Sequence, residues 1–151
     1  MFLSYKDLAK LFPNTRGIKE ETLVFHTVAS KGTDPQAKGI FILLSNNPGE
    51  LKSALENGAI AAIWPSGMEV PKITPNHFPM FFVHDLLDGL KKILFLYKQR
   101  LQEDDGINTE RTDFLFLDER LLKEFYETYD IAVMEEKWSE VVKQLSFGGK
   151  E

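Results

Sequence analysis

The chain has 151 residues, of which 43% are hydrophobic and 12% aromatic, enough for one ordinary domain with a real core plus a short extension. It contains no Cys, which excludes disulfides, thiol nucleophiles and Cys-ligated zinc. The net charge of −5 is uneven: residues 103–140 hold 13 acidic against 4 basic side chains and the remainder is mildly basic, which argues against nucleic-acid binding by the C-terminal region.

The first residues, MFLSYKDLAKLF, have no basic start and no uninterrupted apolar stretch, so no signal peptide is expected. The longest apolar runs are strand-sized, far short of the ~20 residues that span a bilayer. A cytoplasmic protein with no membrane association is the expectation. Ser4 and Asp7 have the spacing of a capping box and open a short helix with Tyr5, Leu8, Leu11 and Phe12 on one side, ended by Pro13-Asn14. Thr22–Val28 is β-branched and aromatic and predicts a strand. After the turn-rich Lys31–Pro35, the run Gly39–Leu44 is continuously apolar, as in a strand covered on both faces. Ser45–Gly49 leads into a helix with Leu51, Ala54 and Leu55 inward and a stop at Asn57-Gly58. Ala59–Trp64 and Pro79–His84 predict two more strands. Asp85 caps a helix over 85–101 whose inward face is Leu86, Leu90, Ile93, Leu94, Tyr97 and Leu101.

Strand, helix, strand, loop, strand, helix is the rhythm of parallel βα units. The fold class expected is α/β: a small, mainly parallel sheet with flanking helices, plus a C-terminal helical extension. Glu103–Gly106 marks the boundary, giving a domain over 1–102 and an acidic, aromatic-rich extension over 103–151 that packs on it. In the extension, Phe114–Leu117 reads equally as a strand or a first helical turn. Leu121, Leu122, Phe125 and Tyr129 suit one helix, and Met134, Trp138, Val141, Val142 and Leu145 suit another. The end from Ser146 is expected to fray.

Three segments together resemble the N-terminal domain of the UDP-N-acetylmuramoyl-peptide (Mur) ligases. His26–Lys31 followed by Ala37–Ile42 is similar to that family's strand ending in Thr/Ser-Asp-Ser-Arg, its loop, and Pro-Gly-Asp-Leu-Phe-Val-Ala. Leu55–Trp64 is similar to its helix-to-strand passage. Phe81–Asp85 with Leu86–Tyr97 resembles its strand and closing helix. The likeness covers about residues 20–101. It implies a UDP-sugar site, and the matching or neighbouring positions here are Thr27, Ser30, Lys31, Asn46 and Asn47. The departures are as informative as the matches. The family's Asp is Ala29, its Arg is Lys31, and its Gly-rich Asp-Gly-His stretch is reduced to Ser45–Gly49. Lys is a flexible point charge, without the planar fork of Arg.

A complete ligase would also carry a Gly-x-x-Gly-x-x-Gly-Lys-Thr/Ser phosphate loop after Leu101. No such run occurs, and Gly148-Gly149-Lys150 lacks strand–loop–helix context. Nothing then positions ATP for phosphoryl transfer. The chain is expected to be no enzyme, with no cofactor and no metal.

Other constellations carry little. His26 and His84 are expected near the strand C-terminal edges, with Asp34 and Asp85 as conceivable carboxylate partners, but their spacing matches no metal motif. Ser30 has no Gly-x-Ser-x-Gly context for a hydrolase triad. Asp104-Asp105 and Glu135-Glu136 read as surface charge. Three functions stay open. One is a binding or protein-interaction module, with a homodimer or partner interface on the C-terminal aromatic helices. Another is an accessory or sensor protein holding a UDP-sugar in a remnant cleft. The last is one chain of a split ligase.

Overall fold

The computed structural model describes residues 1–103, 110–117, 119–128 and 130–149. They form two compact units, Met1–Leu115 and Phe116–Glu151.

The first unit opens with β1 (Leu3–Ser4) and α1 (Tyr5–Leu11), and the predicted capping box is present in full. Ser4 Oγ accepts the Asp7 N–H at 3.1 Å and Asp7 Oδ2 accepts the Ser4 N–H at 3.2 Å. Then follow β2 (Thr15–Arg16), β3 (Val24–Phe25), β4 (Thr27–Ala29), β5 (Gly39–Ile42), α2 (Glu50–Glu56), β6 (Ala59–Pro65), β7 (Met80–Val83), α3 (Leu86–Glu103) and β8 (Asp113–Phe114). The main sheet has the order β2-β7-β6-β5-β4-β8. Every pair in it is parallel except β2 against β7.

The stretch Thr22–Val28 is therefore not one strand. Val24–Phe25 pairs antiparallel with β1 in a separate two-stranded sheet, and the chain changes partner at His26 before entering the main sheet. Phe114 resolves as strand, with a turn after it. Because β8 lies beside β4, the sheet takes a strand from beyond the acidic run, and the first unit extends past residue 102 to Leu115.

This order sets which face each helix covers. From β4 to β7 the chain steps one way along the sheet, and through α3 it returns to β8 on the far side of β4. Crossovers of one hand going in opposite directions put their connections on opposite faces. Alternation along the strands divides the core accordingly. Phe41, Ala62, Trp64 and Met80 join Leu51 and Ala54 of α2, with Phe78. Ile40, Ile42, Ala61, Ile63 and Phe81 point the other way, where Tyr5 of α1 meets Phe81 with ring centroids 5.1 Å apart. Leu90, Ile93, Leu94 and Tyr97 of α3 are buried as their spacing predicts, while Leu86 and Leu101 are only half-buried. The helix start is capped by Asp85, whose Oδ1 accepts the Asp88 N–H at 3.1 Å. At the end of α2 the predicted stop is real: Gly58 has φ +109°, and a Cβ there would lie 2.7 Å from Ala37 Cα.

A buried polar knot ties the ends of this unit together. Thr112 Oγ1 accepts the Leu3 N–H at 2.8 Å and donates to the Phe25 carbonyl at 2.7 Å. Leu3 and Phe25 are in register across β1 and β3, so the hydroxyl bridges that pair. Tyr97 Oη accepts the Thr112 N–H at 2.8 Å and donates to the Met1 carbonyl at 2.5 Å.

The second unit consists of α4 (Glu119–Glu127) and α5 (Ile131–Gly149). Leu121, Phe125, Met134, Trp138 and Val141 are buried, and Val142 and Leu145 half-buried. Lys137 reaches from α5 to Glu124 of α4 at 2.7 Å. Helix continues through Gly149, beyond the expected fraying point. Asp104, Asp105, Gly106, Tyr129 and the side chain of Leu122, all read from the sequence above, lie outside the described residues, as do Lys150 and Glu151.

Candidate functional site

Open parallel sheets place ligands at the C-terminal ends of their strands, where the connecting loops gather. Here that edge is formed by the segments after β4, β5, β6, β7 and β8. Four of the five residues singled out from the sequence meet there. Ser30 and Lys31 directly follow β4, and Asn46 and Asn47 follow the neighbouring β5. Ser30 is half-buried, and the other three side chains are exposed. Thr27 does not join them. It begins β4 and pairs with Gly39 at the start of β5, so it lies at the opposite edge, about 10 Å away along the strand. Its Oγ1 is buried, has no hydrogen-bond partner, and faces the space a Cβ on Gly39 would occupy.

Between the two loops stands a residue that the sequence reading missed. Glu50, in the first turn of α2, accepts the Ser45 hydroxyl at 3.1 Å through Oε1 and the Gly32 N–H at 3.3 Å through Oε2. Its carboxylate thus clasps the loop after β4 to the loop after β5. The loops are also fixed from within. Gln36 is fully buried and its Nε2 donates to the carbonyls of Lys31 and Asp34 at 3.1 and 3.0 Å. Asn57 Nδ2 donates to the Gly32 carbonyl at 2.9 Å. Asn47 accepts the Gly49 N–H through Oδ1 at 3.0 Å, and its own N–H is taken by Ser45 Oγ at 3.2 Å. A Glu in the first turn of a helix is common for dipole reasons alone, so nothing in its sequence context separated Glu50 from a solvated charge.

The histidines divide between the edges. His84 follows β7 at the C-terminal edge and is exposed. His26 precedes β4 and stacks on Phe2 with centroids 4.1 Å apart. That puts it at the opposite edge from where it was expected, because β4 begins one residue later. The two cannot share a metal ion, and among the described residues no group of three or more His, Asp and Glu side chains has metal-binding geometry. Ser30 and His84 share an edge but are separated by β5 and β6. Three strand spacings make that about 14 Å, too far for a nucleophile–base pair. Glu135 and Glu136 are exposed on α5, as their reading as surface charge implies.

Among the described residues no helix is long and apolar enough to cross a membrane. No family model and no curated protein matches the chain.

Proposed function

We propose that the chain is a non-catalytic module of Mur ligase N-terminal-like ancestry that works by binding another protein or a second copy of itself, without ligase chemistry. The observation that carries this reading is the Glu50 clasp. Its carboxylate occupies the Gly32 N–H and the Ser45 hydroxyl, donors that an anionic ligand could otherwise use between the loops after β4 and β5. It also sets a negative charge there, which opposes a diphosphate by ~1 kcal/mol in water and by ~4 kcal/mol at the effective dielectric of a protein surface for charges 4 Å apart. An edge whose polar loops satisfy one another suits a contact surface better than an open substrate site.

The second reading, a UDP-sugar bound as an accessory or sensing ligand, is favoured by the gathering of Ser30, Lys31, Asn46 and Asn47 at the ligand-binding edge. Calorimetric titration of UDP and UDP-N-acetylmuramic acid separates the two. The first reading expects no heat at millimolar ligand, together with concentration-dependent association in sedimentation velocity or a defined protein partner. Saturable binding in the micromolar range would transfer the function to the second reading.

A further inference from the structure

On the other flank of the same edge, a cavity of about 350 Å³ opens between the end of α1, the ends of β6 and β7, and the first turns of α3. That volume falls at the small end of ligand pockets, which run from roughly 300 to 1,000 Å³. Its apolar lining comes from Leu11, Phe12, Pro13 and Val83, while the Phe82 side chain packs with the core under α2. Gly89 lets α3 approach so closely that a Cβ there would lie 3.1 Å from Val83 Cγ1 and 3.4 Å from the Phe12 ring.

The mouth is charged, and its two carboxylates differ. Asp88 pairs with Lys92 at 3.2 Å, so these two charges cancel. Asp85 spends Oδ1 on the Asp88 N–H, and among the described residues no cation pairs with it. With histidine counted as neutral, the lining therefore carries one uncompensated negative charge above an apolar floor. An anion is repelled there, a neutral apolar molecule gains only the floor, and an ammonium group on an apolar body satisfies both. We propose that this cavity binds a small primary amine with an aromatic or branched aliphatic body, the body against Phe12 and Val83 and the ammonium toward Asp85. Asp85 is exposed and part of its charge faces the α3 dipole, so the selectivity for charge is modest, about fivefold at low salt. The site lies apart from the loops after β4 and β5 and does not depend on what function those loops serve.

The test is an amide-resolved NMR titration of the full ¹⁵N-labelled chain with phenethylamine, 2-phenylethanol and 3-phenylpropionate at low salt. The amine should saturate with shifts at Val83, His84 and Gly89, bind about fivefold tighter than the alcohol, and leave the carboxylate weakest. Asp85→Asn is the informative variant, because Asn caps a helix as well as Asp does while removing the charge. It should lower the amine to the affinity of the alcohol. Absence of amine-induced shifts at those amides, equal affinity for the three probes, or an amine preference that survives Asp85→Asn would each overturn the proposal.

Discussion

Thr112→Val keeps the shape of a side chain that is 3% exposed and deletes one oxygen. That oxygen accepts from Leu3 N–H at 2.8 Å and donates to the Phe25 carbonyl at 2.7 Å. Both partners are backbone groups with no room for water at this point, since Leu3 and Phe25 are fully buried. A buried donor or acceptor left without a partner costs about 1–3 kcal/mol, and two are orphaned here. Allowing for partial relaxation, the loss should be about 2–4 kcal/mol, a large share of the 5–15 kcal/mol that typically separates folded from unfolded protein. Urea unfolding followed by Trp64 fluorescence measures it, in a Trp138→Phe background so that the signal comes from the first unit alone. With a slope of roughly 1–3 kcal/mol per molar urea, the midpoint should fall by about 1–2 M. Thr112→Ser keeps the hydroxyl, loses only a methyl group, and should cost about 1 kcal/mol. If Val proves as stable as wild type, or more stable than Ser, the knot is held by packing and the hydrogen-bond argument is wrong.

Gly58→Ala places a Cβ 2.7 Å from Ala37 Cα at φ +109°, and should destabilise the first unit by about 2 kcal/mol or more in the same assay. Burial pushes the Tyr97 hydroxyl above its ordinary value of 10.0, against the Thr112 N–H bond that pulls it down. The unfolded chain then releases this proton first, so the contribution is present below pH 10 and is lost as pH rises beyond it. Wild-type stability should accordingly fall more steeply above pH 10 than that of Tyr97→Phe. Glu124 is held below the ordinary 4.5 by hydrogen bonds from Lys137 and Arg120. Its support for the α4–α5 pair is present above pH 4.5 and lost as pH falls through the lowered value. Glu124→Gln should flatten the acid limb of the helical circular-dichroism profile, and an unchanged limb would mean the ion pairs do not matter there.

How much of this was legible depends on how local each cause is. The runs Gly39–Leu44 and Ala59–Trp64, the Ser4–Asp7 box, the Asp85 cap and the Asn57-Gly58 stop all follow from residues within a turn or two of each other. The break at His26 does not. Both halves of Thr22–Val28 are strand, and what changes is the partner, from β1 to β5 and β8, which no period-2 pattern records. Asp113–Phe114 is a strand only because β4 lies beside it. That Ser30, Lys31, Asn46 and Asn47 share one edge was legible because parallel topology sends the loops after adjacent strands there. Thr27 was misplaced because three residues of extended chain carry it to the other edge, at about 3.3 Å per residue.

Glu50 separates the interaction reading from the UDP-sugar reading. If the space between these loops is a ligand site held shut by its own carboxylate, a diphosphate must first displace that group and then meet Lys31 with the freed Gly32 N–H and Ser45 hydroxyl. The clasp distances of 3.1 Å from the Ser45 hydroxyl and 3.3 Å from the Gly32 N–H are longer than the roughly 2.5–2.7 Å and 2.7–2.9 Å usual for strong bonds to a charged acceptor from oxygen and from nitrogen, so displacement is cheap, on the order of 1 kcal/mol. Glu50→Ala would then free both donors, remove a repulsion of about 1–4 kcal/mol, and raise UDP affinity tenfold or more. Ser45 is half-buried, so water can replace its bond, whereas the buried Gly32 N–H loses its partner at a cost of about 1–3 kcal/mol, which the fold should survive. If the edge is instead a surface whose loops are merely pinned, Glu50→Ala loosens the pin and creates no site. Calorimetry with UDP would stay flat for both proteins, and the amide of Gly32, which Glu50 accepts, would exchange faster with solvent. A flat titration with protection unchanged at the Gly32 amide would show that the clasp is not formed in solution, and Glu50 would then bear on neither function.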